Sequence, residues 1–127
     1  MERSQLPSES ILIVDDVPTN LKLVTVLLSR LGYQVHTANT AEEALRIAQR
    51  IRPRLVLADI LLPGMDGLEM TRRLKSAPET RNTIVLAVTA LAMKGDEQKA
   101  LEAGCDGYIT KPIDVKTFPA LIRQHLK

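Results

Sequence analysis

The stretch ILIVDD, residues 11–16, decides the fold. Four apolar residues run without a break into two adjacent carboxylates, Asp15 and Asp16. A short continuous apolar run suits a strand buried on both faces of a parallel sheet. Two like charges at the end of such a strand are costly, because they repel and any loss of water raises the penalty. Either both stay in water, or a positive group joins them.

Working outward, four more runs follow: YQVHTA (33–38), LVLA (55–58), IVLAV (84–88) and GYIT (107–110). The first of these alternates polar with apolar residues and so reads as an edge strand. Helical patterns separate the runs. The first helix is expected over Pro18 to Leu31, with Leu21, Val24, Leu28 and Leu31 on one face, Pro18 in its first turn and Gly32 as its stop. Thr40 opens the second as an N-cap, with Glu43 completing a capping box, and Ala41, Ala44, Leu45, Ala48 and Ile51 form its apolar face. The third runs from about Gly67 to Leu74, with Asp66 as a turn or cap residue. The fourth, about Lys94 to Ala103, offers only Ala100, Leu101 and Ala103 for burial and is expected to be weakly held. The fifth begins near Thr117 and carries Phe118, Leu121, Ile122 and His125 at helical spacing. Strict alternation with short connections predicts a three-layer, doubly wound α/β sandwich of flavodoxin-like type, its parallel strands in the order 2-1-3-4-5.

The 127 residues fit one domain able to bury a core without staples. Seventeen Lys and Arg against fifteen Asp and Glu leave a net charge of +2, evenly spread, with no Trp and one Phe. That balance argues against a nucleic-acid partner. Cys105 is the sole cysteine, so no internal disulfide can form; it reads as a small buried apolar residue in a chain suited to the cytoplasm. No apolar run approaches a membrane span, and the polar opening MERSQLPSES lacks the core of a secretion signal. Residues 1–9 are read as a flexible lead and 10–127 as the domain.

The strand ends carry the chemistry. Asp15 and Asp16 follow the first strand, Asp59 the third, Thr89 the fourth, and Lys111 with Pro112 the fifth. All these ends share one edge of a parallel sheet, where sites form beside the reversal of strand order. Singly, each has an ordinary reading: a solvated pair, a cap, a strand-end hydroxyl, a surface charge. Together they make a hard-oxygen site for Mg2+. Thr89 and Lys111 can receive a phosphoryl group there, and a carboxylate can serve as nucleophile. His36 and His125 receive no role.

The motifs ILIVDD, LVLADILLPGMDG, VLAVTALA and GYITKPI resemble, in order and spacing, those of response-regulator receiver domains, the CheY-like family, over about Ser10 to Leu126. The stretch TALAMKGDEQKALEAGCDGYITKPI (89–113) is similar to single-domain regulators of the DivK type and to receivers of hybrid sensor kinases. The resemblance implies a two-component phosphorelay protein rather than an enzyme in the ordinary sense, one that catalyses its own phosphorylation. Asp59 would be the phosphoacceptor. Asp15, Asp16, Asp59 and the backbone carbonyl of Leu61 would hold Mg2+, Asp16 directly and Asp15 mostly through water. Thr89 and Ala90, with Lys111 and the aromatic Tyr108, would form the phosphate-binding and switch set. The Lys111–Pro112 peptide would be cis, aiming the lysine inward.

The implied partners are a histidine kinase or histidine phosphotransfer protein, which donates, and a downstream protein target, which reads helix 4, strand 5 and helix 5. Neither nucleic acid nor membrane is among them. A phosphorylation-dependent homodimer through that same face stays open, with Lys99, Glu102, Asp106 and Arg123 available for pairing. Leu61 and Leu91 stand where the family flanks the path of the hydrolytic water, and neither can orient one, so slow autodephosphorylation is expected. Met1 and the polar lead favour a single-domain regulator over a piece of a larger one, and no output domain follows IRQHLK. Two alternatives compete: a phosphorylation-independent interaction module, and a flavodoxin-like cofactor binder. The second lacks a phosphate loop, since DDVPTN (15–20) is acidic and no glycine-rich motif occurs.

Overall fold

Apolar runs become strands and amphipathic stretches become helices throughout the computed structural model, which describes residues 9–89 and 95–126. The elements are β1 (Ser10–Val14), α1 (Pro18–Arg30), β2 (Gln34–Ala38), α2 (Ala41–Ile51), β3 (Leu55–Asp59), α3 (Gly67–Ser76), β4 (Ile84–Thr89), α4 (Asp96–Ala103), β5 (Gly107–Thr110) and α5 (Phe118–Leu126). The five strands pair in parallel in the expected order, β2-β1-β3-β4-β5. β3 is buried along its whole length, whereas β2 is half open to solvent, as an edge strand must be.

Strand pleating divides the interior into two layers. Leu12, Val14, Val56, Ala58, Val85 and Ala87 face α2, α3 and α4, where Ala44, Ala48, Met70, Leu74 and Ala100 meet them. Ile11, Ile13, Leu55, Leu57, Leu86 and Val88 face α1 and α5, represented by Val24, Leu28, Phe118 and Ile122. Each large side chain fully withdrawn from water, such as Leu28 or Ile122, contributes about 1.5–3 kcal/mol of transfer free energy.

The helix ends follow local chemistry. Thr40 Oγ1 accepts from the Glu43 N–H at 3.1 Å. The Glu43 carboxylate returns the favour one residue upstream of the expected position, accepting from Asn39 N–H at 2.8 Å. Thr40→Ala is expected to lower stability by about 1 kcal/mol, read as a drop in denaturation midpoint. Asp66 caps α3 by accepting from Glu69 N–H at 2.9 Å.

Two expectations are revised. Leu31 is 43% exposed: it lies past the last residue of α1, where Gly32 turns the chain away at φ 94. Leu101 is 49% exposed, because Ala100 and Ala103 occupy the inward face of α4 and Leu101, with Glu102, points out. Asp106 stays on the surface, its side chain 42% exposed, and is paired within the domain as well. Lys75 Nζ donates to the Thr83 carbonyl at 2.7 Å and to Asp106 Oδ2 at 2.9 Å, and the same oxygen accepts from Val85 N–H.

Candidate functional site

Register brings the acidic residues together. β1 and β3 pair Val14 with Ala58, so the next residues along each chain, Asp15 and Asp59, emerge side by side. β5 pairs Thr110 with Thr89 at the tip of β4, which places Lys111 one step beyond the same edge. One oxygen from each of Asp15, Asp16 and Asp59 lies within 4.8 Å of the others. Asp15 and Asp59 are buried and Asp16 is exposed.

Lys111 Nζ bridges the two buried carboxylates, 3.2 Å from Asp15 Oδ2 and 3.1 Å from Asp59 Oδ2. The other oxygen of each receives the main chain of its own loop: Asp15 Oδ1 accepts from Val17 N–H at 2.9 Å, and Asp59 Oδ1 from Leu61 N–H at 3.0 Å. Three carboxylates against one ammonium leave two negative charges uncompensated. A close set of hard oxygens with one solvent-facing member suits a divalent cation that keeps part of its water.

Burial pushes the Asp59 carboxyl above its ordinary value of 3.8, against the lowering pull of Lys111 and the Leu61 N–H, and Asp15 adds to the rise. Lys111 moves the same way for a different reason. Burial alone would lower it, but the hydrogen bond and charge of Asp59, joined by Asp15, hold its ammonium above 10.5. The asymmetry is physical: the lysine has two anions, whereas Asp59 shares its one cation. In the metal-free protein the folded state therefore holds the Asp59 proton more tightly than the unfolded chain does. Its contribution to stability is full below 3.8 and is lost as pH rises through the higher folded-state value. The expected result is a metal-free denaturation midpoint that declines from acid toward neutral pH on account of this group, and a recovery on adding Mg2+.

Thr89 and Tyr108 belong to the other side of the sheet. Thr89 is buried and shares the strand face of Val85 and Ala87. Tyr108, opposite Ala87 in the ladder, is half-buried against the same layer, which α4 covers. Ala90 and Leu91 lie outside the described residues. The Lys111–Pro112 peptide is cis.

Two features escaped the sequence. An apolar cavity of about 380 Å³ opens beside the acids, walled by Ile13, Leu23, Val24, Leu57 and Ile113. It exists only as the gap between α1 and the loop after β5, and no local pattern marks it. Gly67 starts α3 directly above the phosphoacceptor candidate: a Cβ there would sit 2.3 Å from the Asp59 carbonyl oxygen. Its place just after a capping aspartate was the available signal.

Fold and site define a signalling receiver, and the chain belongs to the response regulator receiver domain family, whose model matches residues 11–123. It is DivK-like: the polar-differentiation response regulator DivK of Brucella anthropi is 44% identical over 118 residues, covering 93% of this chain and 96% of the relative. A putative response regulator from Chloroflexus aurantiacus superposes with a TM-score of 0.90 at 30% identity, covering 94% of this chain and 98% of that one. The receiver domain of a sensor histidine kinase from Pseudomonas aeruginosa, solved with a magnesium ion in its active-site cleft, gives 0.86 at 31% identity, over 94% and 98% of the two chains. The chain is thus a two-component response regulator receiver domain. Among the described residues no helix is long and apolar enough to cross a membrane.

Proposed function

We propose that Asp59 takes a phosphoryl group from a phosphohistidine on a histidine kinase or phosphotransfer partner. The observation that carries this reading is the convergence of Asp15, Asp16 and Asp59 within 4.8 Å, with Lys111 bridging two of them. A carboxylate oxygen of Asp59 attacks phosphorus, the phosphorus–nitrogen bond breaks, and its electron pair leaves on the imidazole, which takes up a proton. An acyl phosphate remains on Asp59. Asp15, Asp16, Asp59 and the Leu61 carbonyl would hold a magnesium ion, which would supply positive charge to offset the anionic site during transfer.

Lys111 turns from the carboxylates to a phosphoryl oxygen, an exchange that costs little because both partners are anions a few ångströms apart. The hydroxyl of Thr89, with Ala90 beside it, donates to another. Drawing Thr89 toward the site shifts the β4 tip, Tyr108 follows on the shared face, and the surface of α4, β5 and α5 changes for a downstream protein. The test is mass gain on incubation with acetyl phosphate and Mg2+, with the modified peptide mapped. One phosphoryl group on the peptide containing Asp59, lost with chelator, is expected. No uptake would leave a phosphorylation-independent interaction module.

The acyl phosphate should also be long-lived. Leu61 is 55% exposed beside Asp59 and offers no polar atom beyond its backbone to orient a water. Leu61→Asn combined with Leu91→Glu is expected to speed loss of the phosphoryl group by roughly tenfold or more, followed as decay of the phosphorylated mass.

A further inference from the structure

Among the described residues seven large apolar side chains stay exposed, and four of them, Val17, Leu23, Val26 and Leu31, lie on α1 or at its ends. Leu23, Val26 and the half-buried Leu27 follow one another at helical spacing, so they form one stripe along the helix. Leu23 is also a wall of the apolar cavity beside the acids, which extends the stripe sideways toward Ile113. A continuous apolar stripe of this kind marks a contact surface.

The ends of the stripe say what covers it. Arg30, exposed in the last turn of α1, follows Leu27, and the exposed Asp16 precedes the helix at the other end. A parallel copy of the same face would set Arg30 against Arg30 and Asp16 against Asp16. Reversed, the face is its own complement: each cation approaches an acid, and the two helix dipoles oppose each other. The acidic edge has need of that cation, since Asp15, Asp16 and Asp59 converge there with Lys111 alone bridging two of them.

We propose that α1 pairs antiparallel with α1 of a second copy of this chain, about a two-fold axis between Leu23 and Leu27. Leu23 then meets the second copy's Leu27, and Val26 packs beside the axis. Arg30 lies opposite Asn20, one turn from Asp16 and within reach of it. Lys22, beside Val26, keeps its ammonium in water at the rim. A helix of 13 residues is only about 20 Å long. The contact is therefore smaller than the roughly 1,600 Å² of a standard interface, and the pair is transient. While it lasts Asp16 is covered, so a paired chain withholds its acidic edge from a protein-borne phosphohistidine. That consequence rests on the proposed phosphotransfer; the pairing itself does not.

The full chain is sedimented to equilibrium between about 10 µM and 1 mM, and its weight-average mass is expected to rise toward twice that of one chain. Arg30→Glu sets like charges together and is expected to weaken the association about tenfold, with phosphoryl uptake from acetyl phosphate unchanged. Val26→Cys places a thiol beside the axis, and Ser29→Cys places one on the exposed flank away from it; the native Cys105 is buried. With diamide as oxidant, Val26→Cys is expected to give a disulfide-linked dimer at least tenfold faster than Ser29→Cys. A mass that stays at one chain up to 1 mM, equal rates for the two cysteines, or association undiminished by Arg30→Glu would overturn the proposal.

Discussion

Asp59→Asn is expected to give a folded chain that takes up no phosphoryl group and that, free of metal, is more stable than its parent at neutral pH. The two effects share one cause. An asparagine keeps the shape of the side chain, and its amide oxygen can still accept from the Leu61 N–H, which holds the loop at 3.0 Å in the parent. The amide is a poor nucleophile, because its nitrogen lone pair is delocalised into the carbonyl and its oxygen lacks the full charge of a carboxylate, so the reaction has no effective attacking atom. The substitution also removes a charge whose burial is unfavourable: Asp59 titrates above its ordinary value chiefly through desolvation, with Asp15 adding repulsion. The checks are mass gain from acetyl phosphate and the denaturant midpoint in chelator. Persistent phosphoryl uptake would move the acceptor to another residue. A lower midpoint would mean that the ammonium of Lys111 outweighs the burial.

Gly67→Ala is expected to destabilise the fold by about 3 kcal/mol or more, at the upper end for overpacking. The added carbon would meet the Asp59 carbonyl oxygen at 2.3 Å, its carbonyl carbon at 3.0 Å and Ile60 Cα at 3.0 Å. All three are main-chain atoms, so no side-chain rotation relieves the clash. Either α3 lifts away from β3, or the strand end bearing Asp59 shifts. The neighbouring Asp66→Ala supplies the scale, since it removes only the cap bond to Glu69 N–H and should cost about 1 kcal/mol. Similar midpoints for the two variants would show that α3 slides freely over the end of β3.

The contrast between these residues shows what the sequence disclosed. Asp59 was legible because it ends an apolar run, and Asp15 because it ends another. Once parallel order is granted, register alone makes them neighbours. Lys111 was legible through its place after GYIT and before a proline. The Thr40 cap was local and therefore readable to within one residue. Gly67 was read only as a helix start, since its close approach to the end of β3 is made across the loop of residues 60–66, whose path no local pattern gives. Asp106 is an exposed charge whose partners within the domain, Lys75 and the Val85 N–H, come from α3 and β4, and nothing near it in the chain names them. The exposure of Leu101 was missed for another reason: one turn of a weakly patterned helix fits two inward faces, and packing chose the smaller residues.

The bonds around Asp106 bear on how a signal would move. Beyond α4, Gly104 N–H donates to Leu101 and Cys105 N–H to Ala100, while Lys75 ties the next residue to α3 and the start of β4. The opposite end of α4 begins at Gly95 with no side-chain cap. In the proposed switch, the bonded end would serve as the fulcrum and the Gly95 end as the lever tip. Eight residues rise about 12 Å, so a tilt of about ten degrees sweeps the tip through about 2 Å, a displacement a docked protein can feel while the hinge stays still.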